Sequence, residues 1–281
     1  MQEIDRFVRD LIWAVNSPPL MDLTSGASAI AQPLKIGDVD REHLRIHFNA
    51  QPEQRVGRYF ERLIAYWIRY IRRCEIVAHS LQLREGKQTV GELDLLFRDE
   101  HGRLNHWEVA CKFYLQVDMH GAPATEYIGP NAEDTLQKKV TRLLEHQLPL
   151  GIRYFPEIEV RHAFVKGRIF YHWLTGAKDA LPVELAADHL DGKWIRLQEL
   201  PELLGDSGLR YRILRKPFWL AEELAAPSGD EGTLSPEEVW HVLENHFSRR
   251  NSPMLISAFR GGNSSLRECE RWFVVPSQWP L

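Results

Sequence analysis

Apolar side chains recur every three or four residues in several stretches of the chain, and this spacing predicts helices. The first helix is predicted at residues 2–15, where a Ser-Pro-Pro sequence follows, and a longer one at residues 52–73. A third is predicted after Asn131, which would be its N-cap. A fourth begins at Ser235, because a serine, a proline and two acids in succession are typical of a helix start.

Alternating apolar and polar residues predict strands. Residues 99–102 are a short polar turn ending in glycine, so the strands on either side of it should form an antiparallel hairpin. The order of helix, three strands, helix and strand predicts a sheet flanked by helices. The predicted strands are residues 44–48 (within a loop region), 75–84, 91–98, 104–115, 159–171, 254–259 and 271–275.

Composition is that of a soluble globular protein, with 44% hydrophobic and 26% charged residues among 281. The formal net charge of −4 means that a nucleic-acid partner would need a local basic patch. No segment is apolar over the length that a membrane helix needs, and the three cysteines lie far apart. We therefore expect a cytoplasmic protein with no membrane segment and no disulfide framework.

Several enzyme classes lack their sequence signatures here. The twelve histidines include no HExxH pair, and no cysteine or histidine spacing matches a zinc site. There is also no GxxxxGK phosphate loop and no GxGxxG after a strand. A nucleotide-hydrolysing or dinucleotide-dependent enzyme is therefore not indicated.

Residues 91–115 contain the polar side chains with the clearest chemical potential. Glu92 and Asp94 share one face of their strand, and Glu108 and Lys112 share one face of the next. If these faces coincide, Asp94, Glu108 and Lys112 converge, and the two carboxylates could hold a divalent cation beside an ammonium group. The same alternation is also typical of the wet face of a half-exposed sheet, which is our interpretation of Glu92 alone.

The helix at residues 52–73 has an arginine-rich side opposite its apolar side. Glu61 lies at the border between the two, in line with the small residues Gly57 and Ala65. The arginine side is a candidate for phosphate contact, although a solvated helix face explains it nearly as well. The candidate nucleic-acid-binding residues are Arg55, Arg58 and Arg62.

The stretches GELDLLF and HWEVACK resemble the core of the PD-(D/E)XK nuclease superfamily. This resemblance implies an α/β, restriction-endonuclease-like mixed sheet flanked by helices, and we expect the part of the chain that follows to be an α+β C-terminal extension. It also implies a nuclease that hydrolyses DNA or RNA with Mg²⁺ or Mn²⁺. By position, Asp94 and Glu108 would be the metal ligands, Lys112 the catalytic lysine and Glu61 an auxiliary acid.

Over its full length the chain also resembles a bacterial family known as domain of unknown function 1853. The expected organisation is a helical extension at residues 1–50, a nuclease-like core at 51–175 and a C-terminal extension at 176–281. The nuclease resemblance covers residues 51 to about 175.

One spacing departs from the superfamily pattern. The superfamily has Glu-x-Lys, whereas four positions separate Glu108 from Lys112, which places their Cα atoms about 13 Å apart instead of about 7 Å. A two-residue excursion at 110–111 could correct this, or Lys138 or Lys139 could supply the charge. Alternatively, catalysis has been lost and the fold serves as a nucleic-acid-binding or protein-binding module.

Overall fold

A computed structural model gives the structure of the chain and describes residues 5–23, 32–118, 125–176, 178, 181–205, 208–225, 232–262 and 265–280. These residues form an α/β structure in which mixed sheet is flanked by helices, as predicted. The helices are α1 (Arg6–Asn16), α2 (Arg41–Ala50), α3 (Val56–Tyr66), α4 (Leu136–Thr141), α5 (Leu148–Tyr154), α6 (Leu200–Leu204) and α7 (Pro236–Phe247). The strands are β1 (Glu75–Glu85), β2 (Gln88–Arg98), β3 (Leu104–Asp118), β4 (Thr125–Ile128), β5 (Val160–His172), β6 (Asp191–Arg196), β7 (Arg210–Ile213), β8 (Leu224–Ala225), β9 (Met254–Gly262) and β10 (Ser265–Val275).

Two compact units divide the chain, and each is assembled from separate segments. The first consists of Met1–Lys112, Gln137–Gly167 and Pro182–His189. The second consists of Phe113–Leu136, Arg168–Leu181 and Leu190–Leu281. Strands β3 and β5 therefore each pass from the first unit into the second. No described helix has the length and apolar character needed to cross a membrane.

Strands in the first unit follow the order β1-β2-β3-β5. The predicted hairpin is confirmed, since β2 pairs antiparallel with β3 and Arg98 lies opposite Leu104. Strand β5 runs in the same direction as β3, because the Glu159 N–H donates to the Leu104 carbonyl over 3.0 Å and Gly167 lies beside Lys112. The sheet of this unit is thus mixed.

A glycine permits the close approach of β5 to β3. Gly167 has φ 150°, and a Cβ atom there would lie 1.8 Å from the carbonyl oxygen of Lys112. Any larger residue would have to push the strands apart. Nearer the middle of the unit, Trp107 of β3 stacks on Phe164 of β5, with ring centroids 5.2 Å apart.

Helix α2 corrects the prediction of a strand at residues 44–48. Leu44 and Phe48 are buried four residues apart, whereas Ile46 between them is 58% exposed. The helix begins after Asp40, whose carboxylate accepts the His43 N–H over 3.0 Å as an N-cap. The local alternation of apolar residues was one turn of an amphipathic helix, which five residues cannot distinguish from a strand.

Helix α3 lies within the helix predicted at residues 52–73, but it begins at Val56 and ends in a wider turn. Its last part, Trp67–Ile71, is π-helical. Residues on its apolar side, including Phe60, Leu63 and Ile64, are buried. The predicted amphipathic helix is therefore confirmed with shifted ends.

Strands in the second unit follow the order β5-β6-β10-β9-β7, with β4 on β3 and β8 on β10. Strand β6 is parallel to both of its neighbours, and β9 is antiparallel to β10 and β7. The predicted start of α7 is confirmed, because Ser235 and Glu238 form a reciprocal capping box.

The predicted N-cap at Asn131 is wrong, because α4 begins at Leu136. Asn131 lies in a turn that precedes the helix, in which the Ala132 N–H donates to the Gly129 carbonyl over 2.8 Å. Ala132 has φ 59°, outside the helical region. Backbone hydrogen bonds of the turn therefore delay the helix by several residues.

Candidate carboxylate and lysine site

The polar residues of the hairpin meet where β2 and β3 part. Paired positions run from Arg98 opposite Leu104 to Leu95 opposite Trp107. At the next position the Oδ2 atom of Asp94 accepts the backbone N–H of Val109 over 2.9 Å. A side chain has thus replaced a backbone carbonyl as the acceptor, and the Asp94 carboxylate is held at the point of divergence.

Glu108 lies beside Asp94 and is almost completely buried, with 1% exposure. Its Oε1 atom accepts a hydrogen bond from His106 Nε2 over 2.9 Å, and its Oε2 atom accepts one from the Gln147 amide. The Gln147 carbonyl oxygen in turn accepts a hydrogen bond from Lys139 Nζ over 3.0 Å. A continuous polar network therefore leads from β3 to α4 and the turn after it.

Burial and the neighbouring carboxylate of Glu108 raise the pKa of Asp94 to about 8. Glu61 raises it further, while the Val109 N–H and the ammonium of Lys139 oppose the change. Asp94 therefore keeps its proton at pH values at which an ordinary aspartate is ionised. Like charges crowded into a partly dehydrated space are typical of sites that bind a cation or share a proton.

Glu61 of α3 faces the same site. Burial raises its pKa, and the charges of Glu92 and Glu108 add to this effect, while Arg58 opposes it. The Arg58 guanidinium lies 3.2 Å from the Glu61 carboxylate and 3.8 Å from that of Glu92. The sequence-predicted residues Asp94, Glu108 and Glu61 are thus brought together, and Arg58 lies at their edge.

Two lysines contribute to the site. Lys139 is held by Gln147, and burial lowers its pKa, whereas Glu108 and Asp94 raise it. The charge of Lys112 also lowers the pKa of Lys139, so the two ammonium groups are close. Lys112 lies half-buried on β3, and this strand is continuous through residues 110–111. Gln147 links Lys139 to Glu108 by hydrogen bonds, and Lys138 is exposed.

The sequence interpretation missed His106 and Gln147. His106 is two residues before Glu108 on the same strand, so the alternation of β3 was the available signal. Gly151 of α5 makes room for it, since a Cβ atom there would lie 2.4 Å from His106 Nδ1.

Regular helix geometry could not predict the contact between Gln147 and Lys139. Eight residues of α-helix would leave the two side chains about 80° apart around the axis. Residues Arg142–Gln147 form a π-helical turn instead, which has more residues per turn and reduces this angle. Nothing in the local sequence marks that turn.

The candidate phosphate-binding arginines have different surroundings. Arg55 is exposed. Arg58 contacts carboxylates of the site and donates to Ser80 Oγ over 2.9 Å. Arg62 donates to the carbonyls of His47 and Gln51 and lies 4.9 Å from the Phe48 ring, so it joins α3 to the end of α2.

The site suits magnesium, which keeps water ligands, better than a metal ion whose ligands all come from the protein. Within the described ranges, no group of three or more His, Cys, Asp or Glu side chains is arranged to hold a metal ion. Mg²⁺ commonly keeps several waters and uses one or two carboxylates together with substrate phosphates. Asp94 and Glu108 match that smaller requirement.

Comparisons with known proteins give one finding. Neither the curated proteins nor the solved structures include a significant match to this chain. The profile of the family described as Domain of unknown function (DUF1853) matches residues 9–275. That match spans nearly the whole sequence, so the chain belongs to the DUF1853 family.

Proposed function

We propose that the chain is a divalent-metal-dependent nuclease that hydrolyses phosphodiester bonds of DNA or RNA. The observation that carries the proposal is the meeting of Asp94 and Glu108 where β2 and β3 diverge, with Glu61 and Lys139 beside them. The proposal includes membership of the PD-(D/E)XK superfamily and a restriction-endonuclease-like core. The mixed order β1-β2-β3-β5, with α3 before the sheet, supports that part.

Asp94 and Glu108 would hold Mg²⁺ or Mn²⁺, which would supply Lewis-acid activation of the scissile phosphate and a more acidic water. Asp94 must release its proton to bind a cation, and burial beside Glu108 resists that release. His106 and Gln147 fix both oxygens of Glu108 and so set the direction of its carboxylate.

Lys139 is the proposed catalytic lysine, in place of Lys112. Its ammonium group is held by Gln147 and lies close to Glu108, and burial lowers its pKa. A buried lysine held in one direction by a hydrogen bond can position the attacking water and take part in its proton transfer. Glu61 would hold a water at the side of the site that faces α3.

Cleavage of single-stranded and duplex DNA and RNA in Mg²⁺ or Mn²⁺ tests this proposal. We expect Asp94→Asn and Lys139→Met to reduce the rate by roughly a hundredfold or more. Lys138→Met is the matched control, because it removes the same charge from the adjacent, exposed position and should retain activity. Equal cleavage by the wild type and Asp94→Asn would mean that the activity is a contaminant and would refute the proposal.

A nuclease-like binding module without catalysis is the second candidate. It is favoured by one observation, that both oxygens of Glu108 already accept hydrogen bonds from protein groups. Titration calorimetry separates the two functions. Binding of nucleic acid by a wild type that binds neither Mg²⁺ nor Mn²⁺ would establish the module and exclude the nuclease.

A further inference from the structure

Four aromatic side chains of α2, α3 and the π-helical segment after α3 form a cluster that the carboxylate site does not use. All six pairs among them have ring centroids between 4.7 and 6.3 Å apart. The Tyr66 hydroxyl lies 2.8 Å from His43 Nδ1 and fixes the two rings against each other. We call this set the aromatic patch, and it consists of His43, His47, Tyr66 and Tyr70.

Part of the aromatic patch is open to solvent. Tyr70 is 39% exposed and His43 is also exposed, whereas Tyr66 is buried beneath them. Beside the rings is a surface pocket of about 230 Å³, which His43, His47 and the exposed Ile46 line together with the end of α2. Exposed rings on a fixed base offer flat faces at a small entropic cost.

One guanidinium group lies directly against the aromatic patch. The Arg69 guanidinium lies 5.5 Å from the Tyr70 ring centroid. Burial lowers the pKa of His47, and Arg62, His43 and Arg69 lower it further. Two nearby acids are engaged: the Asp40 carboxylate caps α2, and Glu42 pairs with Arg45 at 2.7 Å.

Helix α3 connects the aromatic patch to the carboxylate site. At 100° per residue, and counted in one direction around the helix from Glu61, Arg58 lies at about 60°, Arg62 at about 100° and Tyr66 at about 140°. The arginines are therefore between the acidic side and the aromatic side of one helix. A chain with regularly spaced negative charges could pass from the rings, across the arginines, to Glu61.

We propose that the aromatic patch binds bases of single-stranded nucleic acid, while Arg69 beside it and the arginines of α3 contact its phosphates. The inference rests on the proposed function and deepens it, because it names the form of substrate that is led to the carboxylate site. Alternating aromatic and cationic groups are the common means of holding a single strand without sequence preference. A duplex fits less well, because its bases are already stacked on each other and their faces are covered.

Fluorescence anisotropy in EDTA measures binding without cleavage, so it is independent of the nuclease assay. The probes are a labelled oligothymidylate, an oligouridylate and a duplex of equal length. We expect the wild type to prefer the single strands and Tyr70→Ala to weaken that binding about tenfold or more, while Tyr70→Phe retains it. Arg69→Gln should weaken binding of all probes and reduce the salt dependence.

The chain offers a matched control on α5. Arg153 lies 5.6 Å from the ring centroid of Tyr154, nearly the same arrangement as Arg69 on Tyr70. Arg153→Gln and Tyr154→Ala should therefore leave binding unchanged. A thermal melt of every variant shows whether it is folded.

Three outcomes overturn the inference. They are failure of the wild type to bind single strands, an equal loss of single-strand and duplex binding in Tyr70→Ala, or an equal loss in Tyr154→Ala. Self-association of the wild type that Ile46→Asp abolishes, without oligonucleotide binding, would assign the patch to an interface between copies of this chain. Single-strand binding without cleavage would refute the nuclease function but keep the proposed role of the aromatic patch. Cleavage that Tyr70→Ala does not affect would keep the nuclease function but refute the role of the patch.

Discussion

The Asp94 carboxyl group should make the stability of the protein depend on pH. Its pKa is about 8 in the folded chain, against about 3.9 for an unfolded aspartate. Between these values the folded state holds a proton that the unfolded state has lost, so this contribution to the free energy of unfolding falls as the pH rises from about 4 to about 8. We expect Asp94→Asn to reduce that fall, and urea unfolding at several pH values measures it. Parallel pH profiles for the two proteins would contradict the assignment.

Close packing at His106 can be tested with one glycine. Gly151→Ala would place a methyl group 2.4 Å from His106 Nδ1, so we expect a loss of about 1–3 kcal/mol in the free energy of unfolding. Gly57→Ala in α3 is the matched control, because no atom lies within 4 Å of its new Cβ. That variant should gain up to about 1 kcal/mol from helix propensity. Similar values for both variants would mean that His106 is not tightly packed.

Individual helices and strands could be predicted where their signals are local. The hairpin at Asp94 and Glu108 follows from alternation and a polar turn, and the start of α7 follows from Ser235 and its neighbours. The prediction of a strand at residues 44–48 was wrong because Leu44 and Phe48, which are both buried, are also about one helical turn apart. The role of Gln147 could not be found, since it depends on contacts between elements distant in sequence.

The capping box of α7 provides a test at the level of one helix. Ser235→Ala removes the oxygen that accepts the Glu238 N–H, so the free energy of unfolding should fall by about 1 kcal/mol. Ser248→Ala at the other end is the control, since its hydroxyl is exposed and the change should be within about 0.5 kcal/mol. Denaturant unfolding of both variants measures the difference. Equal effects at the two ends would show that the cap does not stabilise the helix.

At the level of the whole chain, the interleaved units make the effect of truncation predictable. A fragment of residues 1–175 keeps β5 but lacks β6, which pairs with it from Ile169 to His172. It also lacks Phe273, whose ring centroid lies 4.6 Å from that of Phe170. The fragment would expose an unpaired strand edge and buried aromatic surface, so we expect it to aggregate. Size-exclusion chromatography beside the intact protein measures this, and a soluble, cooperatively melting fragment would contradict it.

At this largest scale the sequence patterns predicted the α/β class with a mixed sheet flanked by helices, and they did not predict the compact units. Linear segments such as 51–175 follow the order of the chain, whereas the compact units each combine three separate stretches. Strand pairing between distant segments decides that division, and alternation within one strand carries no information about its neighbour.

The π-helical turn at Arg142–Gln147 has a consequence for comparing relatives of this chain. Its wide turn holds extra backbone compared with an ordinary helix. Deleting a single residue between Lys139 and Gln147 would let the helix continue unbroken and would leave the two side chains seven residues apart, about 20° from each other around the axis. A relative with a one-residue gap in this stretch would therefore keep its lysine and glutamine on the same side of a regular helix.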